Sequence, residues 1–199
     1  MASMNTNTEP LLAAPGAGLP KFELLIARVL FGLRCWMSNR DAFNARFARE
    51  RAALRVLIER CDAETGARRV LIQRPPGLED SSRNWSVWMT LDHLRIVHGE
   101  LTRIIGTLAR GASPAGEAST AAVKPSPHAS AAVVAEYEDS CDALLAGVAE
   151  VPEMKTAARF AHPWFGPLDA FGWHALASGH MGIHRVQIER ILAGMERAS

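Results

Sequence analysis

The chain has 199 residues, 48% of them apolar, and its 22 basic and 21 acidic side chains leave a formal net charge of +1. That is enough apolar material for one substantial core and cramped for two. The balanced, scattered charge, with no RNA-binding or zinc-finger signature, argues against a nucleic-acid partner, which demands a concentrated basic face.

Residues 1–20, "MASMNTNTEPLLAAPGAGLP", lack the basic start and long apolar centre of a secretory signal and read as a disordered tail. The expected domain is therefore 21–199. Its most apolar window, "FELLIARVLFGLRCWM", contains Glu23, Arg28 and Arg34 and is shorter than a membrane span requires. Cys35, Cys61 and Cys141 are odd in number and irregularly spaced, which suits a reducing compartment better than a disulfide framework. The expectation is a cytoplasmic protein without membrane association.

Nearly every periodic segment has helical spacing, and no run alternates as a strand would. A first helix is expected over Lys21 to Met37, with Phe22, Leu25, Ile26, Val29, Leu30 and Leu33 along one side. Ser38, with Asp41 three residues on, resembles a capping box. The helix that follows would turn Phe43, Phe47, Leu54, Leu57, Ile58 and Cys61 inward and end near Gly66, unless the two form one long bent helix. "RPPGLEDSSRNW" is a connector dense in breakers. Ser86 makes a good N-cap for a long helix to about Ala109, burying Leu94, Val97, Leu101, Ile104, Ile105 and Leu108. "GASPAGEASTAAVKPSPH" reads as a flexible loop and nothing more. A helix over Ser130 to Glu150 would bury Val134, Tyr137, Cys141, Leu144, Leu145 and Val148. The last helix is expected to begin near Pro167, since proline is tolerated in a first turn, and to end around Ala193. The fold class is all-α: a four-helix bundle with long connections and an extra N-terminal helix.

In "ASGHMGIHRVQIERIL", His180 and His184 lie about 40° apart around a helix and one turn along it, so their rings can converge on one ion. Their stripe also carries Trp173, Ala177, Ile188 and Ile191 and so faces the core. Two imidazoles buried there need partners, because an unsatisfied polar group costs a few kcal/mol. A metal would satisfy both; the alternative is that each ring finds a hydrogen-bond partner in the core. Met181 follows His180 where a zinc protease would carry its glutamate, which disfavours that mechanism. Among other histidines, His174 points about 120° away from His180. His162 would reach it only if its loop folds back, and His128 lies in the loop expected to be flexible. His93 and His98 differ by about 140° around their helix and cannot both address one ion. Each flanks the apolar stripe, so geometry leaves the choice between them open.

"NWSVWMTLDHL", "HPWFG" and the final "HxxxHRxQI" together resemble the DinB-like (DinB/YfiT) superfamily of metalloenzymes over roughly Arg40 to Leu192. The resemblance implies a DinB-like four-helix bundle in which His93, His180 and His184 bind one divalent ion. Three neutral imidazoles leave coordination positions open, as in catalytic sites. Zinc or nickel is the expected ion, with iron or manganese as alternatives, because nitrogen ligands discriminate weakly among them. Characterised relatives include thiol-dependent S-transferases and a mycothiol-dependent isomerase. The similarity thus implies a metal-activated low-molecular-weight thiol attacking a small electrophilic substrate; the alternative is a non-catalytic bundle that binds a metal or ligand.

Trp85, Trp88, Trp164 and Phe165 are candidates to wall such a site, and Arg185 or Gln187 to orient an anion. The packing reading is preferred for the tryptophans, and a solvent-facing one for Arg185. Cys141 reads as core, and Glu100 lies about 10 Å along the helix from His93. Gly172, Ala175, Gly179, Gly182 and Val186 form a small-residue stripe away from the histidines. Since an interior glycine costs up to about 1 kcal/mol, the stripe implies close approach of a helix, within the bundle or across a homodimer; the dimer is the favoured reading.

Overall fold

A computed structural model describes residues 10–197. The expected tail lies outside the described residues over 1–9. Over 10–20 it carries no helix or strand, but the Ala13 amide donates to Asp80 Oδ2 at 2.8 Å.

Among the described residues, six helices and one small hairpin occur in the order α1 Lys21–Met37, α2 Arg40–Ile58, α3 Ala63–Ala67, α4 Val87–Ala109, α5 Val133–Ala149, β1 Phe160–His162, β2 Gly166–Leu168 and α6 Ala170–Glu196. A 3-10 turn, Asp80–Ser82, precedes α4. Helices α2, α4, α5 and α6 form the bundle. α6 packs on α2 and α4, and α4 packs on α5. The ring is closed by Arg51 and Arg55 of α2, which donate to Glu138 of α5 at 2.6 and 2.8 Å.

The core follows the helical periodicity. Phe43, Phe47, Leu54 and Leu57 are buried from α2, and Leu94, Leu101, Ile104, Ile105 and Leu108 from α4. Tyr137, Cys141, Leu144 and Val148 complete it from α5, with Ile188 and Ile191 from α6. Each large aliphatic or aromatic side chain so enclosed contributes roughly 1.5–3 kcal/mol. Ser86 caps α4 as expected, accepting from the Met89 amide. Val97, Val134, Leu145, Ile58 and Cys61 are half-buried at the edge of the core.

The structure departs from expectation in several places. The cap of α2 is Asn39, accepting from Ala42 N at 2.9 Å, and not Ser38. The segment expected to run on to Gly66 breaks at Ile58 and restarts as α3, because Asp62 caps a new turn through Thr65 N at 2.7 Å. Pro167 sits in β2, and α6 starts instead after Asp169, whose carboxylate accepts from Gly172 N at 2.8 Å; the helix runs past Ala193 to Glu196.

The hairpin pairs Phe160 with Leu168, Ala161 with Pro167 and His162 with Gly166. Strands of three residues are too short for alternation to register in a sequence. The loop after Gly111 is not merely flexible: it is bound at several points described below. In α1 the expected apolar side faces solvent, and the helix rests on the bundle through its opposite side, where Phe31 meets Phe165 with ring centroids 4.6 Å apart.

Candidate metal centre

Seven residues, close to two helical turns, separate the Ser86 cap from His93, which α4 turns toward α6. One turn apart on α6, His180 and His184 meet it. Nε2 of His180 lies 3.1 Å from Nε2 of His93 and 3.0 Å from Nε2 of His184. The ligand atoms of all three lie within 4.8 Å of one another, an arrangement that could hold a metal ion. Two nitrogens about 2.0–2.1 Å from a common ion stand roughly 3 Å apart when their bonds diverge by near a right angle.

The far sides of two rings set the proton positions. His93 Nδ1 is 2.6 Å from the Val123 carbonyl, which can only accept, so Nδ1 carries the proton. His184 Nδ1 is 2.6 Å from Gln187 Oε1, and that amide is oriented by donating through Nε2 to the Ser82 carbonyl at 2.8 Å. Both rings therefore present an Nε2 lone pair to the centre. A His180 proton could satisfy one of them, not both, and Nδ1 of His180 is buried without a partner. A cation at the convergence would answer the facing lone pairs, and the hydrogen-bonded outer nitrogens are the usual support of metal-binding histidines.

Burial pushes His93 down to about 4. His180 and His184 lie well below the ordinary histidine value, first through burial and then through the like charges of their neighbours. All three are neutral at pH 7, the form a metal requires.

The connector and the loop supply the surroundings. Trp85 tilts against His93 at 5.1 Å and stacks on His184 at 6.2 Å. Lys124 donates to Glu79 at 2.9 Å and to Ser82 Oγ at 3.1 Å, and its ammonium sits 5.3 Å from the Trp85 ring centre. Burial would raise the Glu79 carboxyl, but hydrogen bonds from Lys124 and Thr120 and the Lys124 charge hold it below its usual value. The loop is pinned again where Ser126 N donates to Asp92 Oδ2 at 2.8 Å.

A cavity of about 600 Å³ opens onto the three histidines, with Ile183, Leu176, Phe160 and Val97 among its apolar walls.

Other candidates fall out differently. His98 turns away toward α5: its Nδ1 is 3.0 Å from Ser140 Oγ and 3.7 Å from Cys141 Sγ. Cys141 is core as expected, its thiol pushed up to about 12 by burial. His174 points to the α2 side, edge-on to Phe43, and His128 is exposed.

His162 does come back, because the hairpin folds over the bundle: it lines the same cavity, and its Nδ1 accepts from Trp164 N at 3.0 Å. Trp164 and Phe165 line the cavity too, whereas Trp88 is a packing anchor that donates to the Ala63 carbonyl. Glu100 lines the cavity but pairs with Arg103. Arg185 is paired with the carboxylates of Glu50, at 2.7 Å, and Glu189, so its charge is met within the chain and not by a ligand in the cavity. Gln187 orients a histidine instead of a substrate. Its i+3 spacing from His184 was a readable signal; the Val123 carbonyl and the Glu79–Lys124 pair had none. Within the small-residue stripe, Gly182 gives room to Glu50 and Arg46 of α2, a Cβ there standing 3.1 Å from Glu50 Oε1. At that position the close approach is internal to the chain.

No helix among the described residues is long and apolar enough to cross a membrane. No curated protein matches the chain. Among solved structures, the chain is similar to TT2238, described as a four-helix bundle protein, with 23% identity, a TM-score of 0.54, and coverage of 75% of this chain and 97% of that one. The family model of the DinB superfamily matches residues 46–188, a span that takes in all three converging histidines. The chain belongs to the DinB superfamily.

Proposed function

We propose that this protein is a metal-dependent enzyme in which His93, His180 and His184 hold one divalent ion through Nε2, and that it transfers a low-molecular-weight thiol to a small electrophile. The reading is carried by the facing Nε2 atoms at 3.0 and 3.1 Å, which no arrangement of protons satisfies together. A bound divalent ion with open positions would supply Lewis acidity, lowering the pKa of a thiol or water at neutral pH.

The chain's own groups do the rest. Val123 and Gln187 keep the protons of His93 and His184 on Nδ1, leaving both Nε2 atoms free. Trp85 covers two of the rings and limits water there. Lys124 is neutralised by Glu79 and fastens the loop beside His93. His162, whose Nδ1 accepts from Trp164, carries its proton on Nε2 and is a donor for a substrate in the cavity.

Elemental analysis of the purified protein should find about one equivalent of zinc, nickel, iron or manganese, lost in His180→Ala. Glutathione-like thiols should then displace chloride from a chloroarene in its presence, forming the thioether and releasing chloride and the thiol proton. No stoichiometric metal in the wild type would end the proposal. Metal without turnover for any thiol would leave a non-catalytic metal-binding bundle.

A further inference from the structure

Helix α1 is apolar on both sides, and its larger apolar side is the uncovered one. Leu24, Ala27, Phe31 and Cys35 face the bundle and are half-buried. Phe22, Ile26, Val29, Leu33 and Trp36 point outward, flanked by Leu25, Leu30 and Met37. Phe22 is 74%, Val29 63% and Trp36 83% exposed. The helix is nonetheless firmly placed: Glu23 pairs with Arg74 and accepts from Gly77 N at 2.7 Å, and Arg28 donates to the Trp164 carbonyl at 2.6 Å. It also precedes the part of the chain that matches the family, 46–188, so the bundle does not need it to close.

Three properties of this stripe say what covers it. Its spacing is 4, 3, 4, 3 over residues 22 to 36, the seam of a helix that pairs with another helix. No charged side chain interrupts it, Arg28 and Arg34 lying off the seam. Its bulk is nearly palindromic about Val29, aromatic then aliphatic on each side, which makes it complementary to itself run in reverse. The exposed apolar area is on the order of 800 Å², above the largest patch of a typical monomer and equal to one partner's share of a standard interface. Residues 1–9, "MASMNTNTE", have two methionines and one alanine to offer and cannot match it.

We infer that the outer face of α1 is a homodimer interface, in which α1 of a second copy docks antiparallel about a two-fold axis near Val29. Phe22 then packs against the partner's Trp36, and Ile26 against the partner's Leu33. Leu30 and Arg34 also line the cavity, so the interface borders its mouth.

Light scattering after gel filtration of the full chain at tens of micromolar should give twice the 21.6 kDa chain mass. Val29→Glu, at an exposed position that leaves circular dichroism and metal content unchanged, should weaken the dimer about 100-fold or more by placing a charge at the seam centre. Val56→Glu, equally exposed on α2, should leave it intact. A monomeric wild type, or a Val29→Glu dimer of native affinity, overturns the inference. So does a wild-type monomer that floats with phosphatidylglycerol vesicles, which would assign the face to lipid.

Discussion

Proton placement on single imidazoles decides what this site can do. His93 and His184 are locked by acceptors on their outer nitrogens, and Gln187 is itself locked by the Ser82 carbonyl. Replacing Gln187 with Leu keeps the size of the side chain and removes the acceptor. Metal affinity in Gln187→Leu should fall about 10–100-fold, the usual effect of losing such a support, while His184→Ala should abolish binding. Competition with a chromophoric chelator measures both, and native affinity in Gln187→Leu would show that Gln187 does not orient the ligand. His184 and Gln187 lie on one helix three residues apart, and their pairing is local. Val123 is thirty residues from His93, and no pattern in the sequence joins them.

At the scale of elements, the contact of α3 with α4 depends on a missing side chain. A Cβ on Gly66 would lie 2.1 Å from the Trp88 ring, which is fully packed and donates to the Ala63 carbonyl. Gly66→Ala should therefore destabilise the protein by about 2 kcal/mol, through overpacking, and lower Tm by roughly 4–8 °C. Scanning calorimetry would detect this; an unchanged Tm would mean that α3 moves off the bundle at no cost. Helix boundaries were legible where caps and periodicity agree, as for α4 behind Ser86. They were not where a three-residue strand or a one-turn helix was set by packing, as in Phe160–His162 and Ala63–Ala67.

The whole molecule carries an unusual load of buried neutral histidine. His93, His162 and His174 are pushed down to about 4 and His98 to about 3, in each case chiefly by burial. The ordinary value is 6.5. Below it the unfolded chain takes up protons that the folded protein refuses, so stability falls with pH. Each such group contributes up to about 1.4 kcal/mol per pH unit between its two values. The urea midpoint of the metal-free protein should change little between pH 7.5 and 8 and drop steeply from pH 6.5 to 5. A midpoint that stays constant across that interval would mean these rings are open to protons in the folded state.

Consecutive residues settled a good deal: the all-helical class, the bounds of α1 and α4, and an inward-facing His180–His184 pair. Periodicity, capping and one-turn spacing act over a few residues and need no partner. The choice of His93 over His98 stayed open on geometry until α4 lay against α6 and α5, because two faces of one helix differ only in what each meets. The return of His162 to the cavity and the anchoring of the loop beside His93 are of the same kind. So is the exposure of the α1 stripe: whether an apolar face is buried depends on elements distant in the chain, which periodicity cannot supply.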